Sequence, residues 1–302
     1  MTDESKLIFI ISQPRSGSTL LQKLISNNPL VDTVSEPWLL LPLLSVYKPG
    51  LIDAKYNYPV ALKGFFDYLE KKNASGNFRD GLKKLVLDLY KTSDENHFFV
   101  DKTPRYYEMI PEIHEMFPNA KFLVLKRNPF ASLHSMLSTW AGGKADYNLF
   151  STFFRDFLVA PFLIQEFCDK HGNDDGTYIV KYENIVSDPG TAVKGIYDWL
   201  KIPFAQEVLE LGKNEKVKGI YGDDVYREKP LQEIKSGLTD AWRESLTNKE
   251  LQQLYAGYEE FLSGDFIRRY GYAPENFKSQ DSLFRKNTFR DYVSSLKKTG
   301  QI

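Results

Sequence analysis

The sequence predicts an α/β fold in three layers, a central parallel β-sheet flanked by helices. Three observations carry this. Short apolar runs of strand length recur along the chain, segments with helical periodicity separate them, and the first run passes through a Ser/Gly turn straight into a helix. Parallel neighbours need long crossovers, and helices of this length supply them.

Residues 6–12 (KLIFIIS) read as a buried strand. Residues 19–26 carry Leu20, Leu21, Leu24 and Ile25 on one helical face, and residues 78–90 carry Leu82, Leu85, Val86 and Leu89 in register. Residues 97–101 (HFFVD) are a second strand. Residues 104–117 form a helix that Pro111 should break or kink. Residues 120–125 (AKFLVL) are a third strand, after which Asn128 and Pro129 make an N-cap and first helical residue for a helix to Trp140. Residues 147–171 read as one long aromatic-rich helix, 177–181 (TYIVK) as a fourth strand, and 191–200 and 249–262 as further helices.

Hydrophobic residues at 42% and charged residues at 26% match soluble globular proteins and exclude disorder as the overall state. A formal net charge of −1 provides no global basic field, so no nucleic-acid partner is expected. The single cysteine, Cys168, excludes an intramolecular disulfide and suits a reducing cytoplasm. Cys168 and His171 have ligand-like spacing, but two ligands make no zinc site. His97, His114 and His134 add no second pair, so no metal is expected. The opening MTDESKLIFIIS has acidic residues before a short apolar run and reads as a first strand, not as a signal or membrane span; the expected location is cytoplasmic. No Pro/Gly/Ser-rich linker divides the chain. Residues 1–275 are read as one α/β domain and 276–302 as a basic C-terminal extension, with six basic residues against Asp281 and Asp291.

The most informative segment is the turn Gln13-Pro14-Arg15-Ser16-Gly17-Ser18, with a strand before it and a helix from Thr19. A helix N-terminus presents unpaired N–H groups and the positive end of its dipole, and Gly17 lets the backbone approach an anion closely. Against the triphosphate loop G-x-x-x-x-G-K-[ST], Gly17 matches the second glycine and Thr19 the final hydroxyl. Ser18, however, replaces the lysine, and a basic residue stands inside the loop at Arg15. The loop should therefore hold an anion in a P-loop-type fold without the usual γ-phosphate apparatus. Strand 120–125 leads into Lys126-Arg127 and a capped helix with Ser132 and Ser135. Two cations beside a helix N-terminus suggest a second phosphate where triphosphate hydrolases carry a metal-organising aspartate. Two separated anion sites suit a nucleotide phosphorylated at two places, such as 3′-phosphoadenosine-5′-phosphosulfate (PAPS).

These segments resemble the PAPS-dependent sulfotransferase superfamily, closest to the protein-tyrosine sulfotransferase-like branch and its bacterial relatives. PRSGSTLL is similar to the 5′-phosphosulfate loop, and LKRNPFASLHSML to the 3′-phosphate segment, which assigns Arg127 and Ser135. VDKTP resembles the branch's lysine-containing strand end and implies Lys102 as the catalytic lysine. VSEPW stands where the branch carries a catalytic glutamate and implies Glu36. IVKYENIVSDP resembles a later segment whose tyrosine lies near the nucleotide, here Tyr182. The likeness covers residues 6–273, and Asn128-Pro129 departs from the Asp-Gly or Asp-Pro frequent in the family.

The resemblance implies sulfuryl transfer from PAPS to an acceptor hydroxyl by in-line displacement, with no metal. Arg15, Ser16, Gly17, Ser18 and Thr19 would cradle the phosphosulfate, Arg127, Ser135 and Tyr182 the rest of the nucleotide. Glu36 would be the base and Lys102 the donor to the leaving oxygen. Glu36 read from its residues alone is a helix-start carboxylate stabilised by the dipole, and His134 is a competing base. The acceptor is a carbohydrate, lipid, small molecule or peptide. Residues 213–235 read either as a flap over the nucleotide or as a solvated loop, and the aromatics of 56–68 and 140–157 either as an acceptor cleft or as core. The rival readings are a P-loop kinase or hydrolase, for which Phe98-Phe99-Val100-Asp101 would serve as the metal-binding strand, and a non-catalytic nucleotide-binding protein on the same fold.

Overall fold

A computed structural model describes residues 3–145, 152–211, 217, 234, 239–277, 289–299 and 302. Residues 213–235, read above as a flap or loop, lie outside the described residues except for Val217 and Ile234.

Among the described residues five strands form one sheet: β1 (Leu7–Ser12), β2 (Val31–Thr33), β3 (Phe98–Asp101), β4 (Lys121–Lys126) and β5 (Thr177–Lys181). Their order is β2-β3-β1-β4-β5, and every neighbouring pair is parallel. All six residues of β1 are buried, as a central parallel strand with both faces covered requires. Its alternation splits the core in two. Leu7, Phe9 and Ile11 pack to one side with Phe99, Phe122 and Val124, while Ile8 and Ile10 pack to the other with Val100, Leu123 and Leu125.

The helices α1 (Ser18–Ser26), α9 (Tyr182–Ser187) and α10 (Pro189–Leu200) cover the second face through Leu21, Leu24, Ile185, Val193 and Ile196. The first face lies under α2 (Leu40–Leu44), α4 (Ser75–Leu89), α5 (Ile110–Met116), α6 (Pro129–Trp140), α7 (Phe154–Leu158) and α8 (Ala160–His171). Helices α12 (Lys249–Leu262), α13 (Gly264–Tyr270) and α14 (Phe289–Lys298) complete that layer. Helix α3 (Tyr58–Lys71) pairs with α4 through Phe65, Phe66 and Phe78 but leaves Val60 and Tyr68 exposed, and short α11 (Ala241–Glu244) carries buried Trp242.

Local chemistry sets the boundaries. The Asn128 side chain accepts hydrogen bonds from the N–H groups of Phe130 and Ala131, and Pro129 opens α6, as expected. The break expected at Pro111 is a 3₁₀ turn, Pro104–Met109, that hands over to α5 with the proline in its first turn. Of the long helix expected over 147–171, residues 146–151 lie outside the described residues, and the described part is split into α7 and α8. Pro161 in the first turn of α8 lacks the N–H that a continuous helix would need there.

The segment read as a C-terminal extension contributes α14, which buries Phe289, Val293 and Leu296 in the first-face core. Phe289 sits over Gly257 of α12, where an added Cβ would come within 2.8 Å of the phenylalanine's own Cβ. Its ring meets those of Phe157, Tyr258 and Phe261. Phe289→Ala should lower the unfolding free energy by about 3 kcal/mol, the ordinary cost of a phenylalanine cavity, in urea denaturation. A loss below about 0.5 kcal/mol, the range of surface substitutions, would mean that α14 is peripheral.

Candidate active site

The strand order decides what can meet. Strand β1 runs between β3 and β4, with Phe9 beside Asp101 and Ser12 beside Leu125. The loop that leaves β1 therefore has the end of β3, with Lys102, on one side and the end of β4, with Arg127, on the other. Ligands in open α/β sheets bind at such a switch point, beyond the carboxyl ends of the strands.

The loop is held by its own backbone. The Ser16 N–H and hydroxyl both donate to the Gln13 carbonyl, at 3.3 and 2.5 Å. Arg15 (φ 63°) and Gly17 (φ 94°) are left-handed, a geometry that turns successive N–H groups towards a common anion. Gly17 occupies the N-cap position of α1, and no side chain caps that helix. The N–H groups of Ser18, Thr19 and Leu20 thus have no intrahelical acceptor, which suits them to an anion.

Gly17 is constrained twice. Besides its φ, a Cβ there would lie 2.3 Å from Cδ2 of Tyr182. Tyr182 is buried, and the Arg127 guanidinium lies over its ring at 4.3 Å. Burial raises the phenol's pKa, with Arg127 opposing that rise. Arg127 Nη1 donates to the Arg15 carbonyl at 2.9 Å, and Arg15 Nε donates to Ser135 Oγ at 3.3 Å. Arg15, Gly17, Arg127, Ser135 and Tyr182, drawn from three segments of the sequence, are joined by these contacts. Arg15 bridges the two expected phosphate segments by reaching to Ser135.

Two expectations for the second anion site change. Lys126 turns away from Arg127, donates to Gln165 Oε1 at 2.7 Å and lies over the Tyr270 ring at 4.9 Å. Successive strand residues point to opposite faces, so only one of the two cations can serve the site. The N-terminus of α6 is already capped by Asn128, and the Asn128 N–H donates to Glu183 Oε1 at 2.9 Å. Glu183 in turn accepts from the Tyr272 hydroxyl at 2.8 Å. Nothing in the sequence singled out Glu183, because its role depends on the end of α13 folding back.

On the other side of the loop, Lys102 Nζ donates to Glu36 Oε1 at 2.5 Å and reaches Thr19 Oγ1 at 3.5 Å. The lysine side chain is 2% exposed and the glutamate 11%, so this is a buried ion pair at the mouth of the loop. Glu36 (φ 22°) and Trp38 (φ 54°) are both non-glycine residues with positive φ, held on either side of Pro37. Trp38 N–H donates to Thr103 Oγ1 at 3.3 Å, which ties this strained turn to the residue after Lys102.

Asp101, which the kinase reading needs as a metal ligand, is fully enclosed. It accepts from the hydroxyls of Tyr90 (2.5 Å), Tyr106 (2.7 Å) and Thr103 (3.0 Å). His134 shares a hydrogen bond with the Tyr255 hydroxyl, 3.1 Å from its Nδ1. Burial, with Arg127 nearby, holds its imidazole below the usual range.

A family model described as the sulfotransferase family matches residues 8–206. The nodulation protein NoeE of Sinorhizobium fredii (strain NBRC 101917 / NGR234) is 25% identical over 300 residues, covering 88% of this chain and 66% of that protein. A protein-tyrosine sulfotransferase of Drosophila melanogaster is 27% identical over 210 residues, covering 68% of this chain and 40% of its own length. The chain thus matches just under two thirds of the first relative and less than half of the second. The solved "Sulfotransferase Domain from the Curacin Biosynthetic Pathway" is similar in fold, with a TM-score of 0.53 and 23% identity over 78% of this chain and 89% of that one.

Desolvation raises the Asp101 carboxyl from an ordinary 3.8 to about 6, despite its three hydroxyl donors and the neighbouring Lys102. Between these values the folded chain keeps a proton that the unfolded chain has lost. This group's contribution to stability therefore falls as pH rises through the window and levels off above about 6. Its full size is on the order of 3 kcal/mol. Asp101→Asn has no proton to lose, so its urea midpoint relative to the parent should rise between pH 4 and pH 7. A parallel pair of pH–stability curves would contradict the raised carboxyl.

Proposed function

Because the chain belongs to the sulfotransferase family, we propose that it transfers a sulfuryl group from PAPS to the hydroxyl of a carbohydrate, lipid, small molecule or peptide. The observation that carries this reading is the buried pair of Lys102 and Glu36 beside Thr19 of the anion loop. This pair supports the reading because a lysine and a carboxylate beside the loop could serve as acid and base at the phosphosulfate end of the nucleotide.

PAPS supplies an activated sulfuryl group whose leaving oxygen belongs to a phosphate. The uncapped start of α1, with Ser16, Gly17, Ser18 and Thr19, would hold the 5′ end. Arg127 and Ser135 would hold the 3′-phosphate, with Tyr182 supporting Arg127 from beneath and Arg15, part of the 5′ cradle, reaching across to Ser135. Glu36 accepts the acceptor's proton as the new S–O bond forms. Lys102 stabilises the leaving phosphate oxygen as the old S–O bond breaks and its electron pair departs. In the structure these two groups satisfy each other; in the reaction each exchanges its partner for a substrate atom.

The kinase reading loses its metal ligand, since Asp101 is enclosed by two tyrosines and a threonine. Among the described residues no helix is long and apolar enough to cross a membrane. A cytoplasmic location is part of the proposal, supported by the buried free thiol of Cys168.

Calorimetry should show adenosine 3′,5′-bisphosphate binding far more tightly than ADP, with or without Mg²⁺. Arg127→Ala should selectively weaken the bisphosphate by about 1.5–3 kcal/mol, the range for hydrogen bonds to charged groups. Equal affinity for the two nucleotides would overturn the PAPS reading.

Glu36→Gln should lower kcat about 10²–10⁴-fold with little change in nucleotide affinity. Lys102→Ala should lower kcat and weaken nucleotide binding as well. Acceptors with more acidic hydroxyls should partly rescue Glu36→Gln and give Lys102→Ala no specific rescue. Wild-type turnover by Glu36→Gln would move the base elsewhere, with His134 the next residue to test.

A further inference from the structure

At the opposite end of the sheet from the anion loop, three side chains with metal-ligand chemistry converge. His114 lies in the last turn of α5, His171 closes α8, and Asp174 follows in the turn before β5. Both helices end beside the amino-terminal ends of β4 and β5. The two imidazole rings lie 4.1 Å apart between centroids, with their planes 36° apart. His171 Nδ1 is 2.8 Å from Asp174 Oδ2. One donor atom from each residue lies within 4.8 Å of the other two. The sequence hid this group, since His171 was paired there with Cys168, which is in fact buried.

Two imidazoles and a carboxylate suit zinc, which commonly takes three protein ligands and a water. Bonds of about 2.0–2.1 Å in a tetrahedral site put neighbouring donors about 3.4 Å apart. Closing from 4.8 Å takes a shift of under about 1 Å per donor, within reach of ring rotation and of the exposed Asp174 side chain. The rings already have a wall. Phe122 lies 5.1 Å and Phe167 5.7 Å from His114, and Phe167 lies 5.1 Å from His171. Such an apolar backing limits the orientations the imidazoles can take, and so lowers the entropy lost on binding.

We propose that His114, His171 and Asp174 form a binding site for a divalent transition-metal ion of the zinc class, with water completing its coordination. The bound ion joins the ends of two helices and the turn into β5, segments distant in sequence. It binds the folded chain in preference to the unfolded one and so stabilises it. The site is separate from Lys102 and Glu36, so its occupancy leaves sulfuryl transfer unchanged.

The test is a Zn²⁺ titration of the chelator-treated full chain by calorimetry, with thermal denaturation alongside. One equivalent should bind, raise the thermal midpoint and be reversed by EDTA. His171→Ala should weaken binding about 100-fold. His97→Ala should leave it unchanged, although His97 also faces a carboxylate, with its Nδ1 3.2 Å from Asp32. In electron paramagnetic resonance, Cu²⁺ bound at the site should show two nitrogen donors in the parent and one in His171→Ala. Absence of saturable uptake by the parent would overturn the proposal. So would unchanged uptake by a His114→Gln/His171→Gln variant whose circular dichroism matches the parent.

Discussion

The contact between Gly17 and Tyr182 is the constraint on which the Arg127 side of the site depends. The tyrosine ring fills the space in which any side chain at residue 17 would have to sit. The same ring carries the Arg127 guanidinium. The ring thus fixes how closely α9 approaches the loop after β1, and with it the place of the arginine. Arg127 then holds the Arg15 carbonyl, and Arg15 holds Ser135. Gly17, the Tyr182 ring, the Arg127 guanidinium stacked on it and Arg15 are thus linked in one chain of contacts. None of its members is positioned without the others.

The other side of the loop is held differently, by charge in a poorly solvated place. Burying Lys102 and Glu36 carries a desolvation cost that a single ion pair does not reliably repay. The positive φ of Glu36 and Trp38 adds about 1–3 kcal/mol of strain per residue. Such costs persist only where the surroundings enforce them. Thr103 does so locally, donating to Asp101 and accepting from Trp38. A stable fold gains nothing from this arrangement that a hydrophobic pair could not supply. Its retention makes sense if the lysine and the carboxylate are needed separately, each for a substrate atom.

The sheet and its helices were legible because a central parallel strand must be apolar on both faces, and KLIFIIS can be little else. The loop was legible because glycine and serine at a strand–helix junction have few other uses. Strand β2 was not, since three residues of which only Val31 is apolar carry no periodicity. Helix α14 was missed because its basic residues dominate the composition of the tail, while Phe289, Val293 and Leu296 lie on one narrow face. Pairing Lys126 with Arg127 was an error of another kind. Adjacent residues on a strand face opposite ways, and alternation alone would have sent one of them to Gln165 and Tyr270. The Glu36–Lys102 contact joins two segments through a turn whose backbone is unusual, and no local pattern encodes it.

The two helices that start at the site show how the same backbone chemistry is put to different uses. Helix α1 begins at a glycine with no capping side chain, so its N–H groups remain for a ligand. Helix α6 begins at Asn128, whose side chain takes up two of those N–H groups, with Glu183 taking the N–H of Asn128 itself. An anion beside α6 must therefore be held by side chains, and Arg127 and Ser135 are the ones in place. A backbone cradle meets the changing charge of a reacting group with fixed dipoles that need no reorganisation. Side-chain donors of fixed charge are suited to a phosphate that does not react. In the proposed reaction the 5′ end changes bonds and the 3′-phosphate only anchors, and the capping of the two helices follows that division.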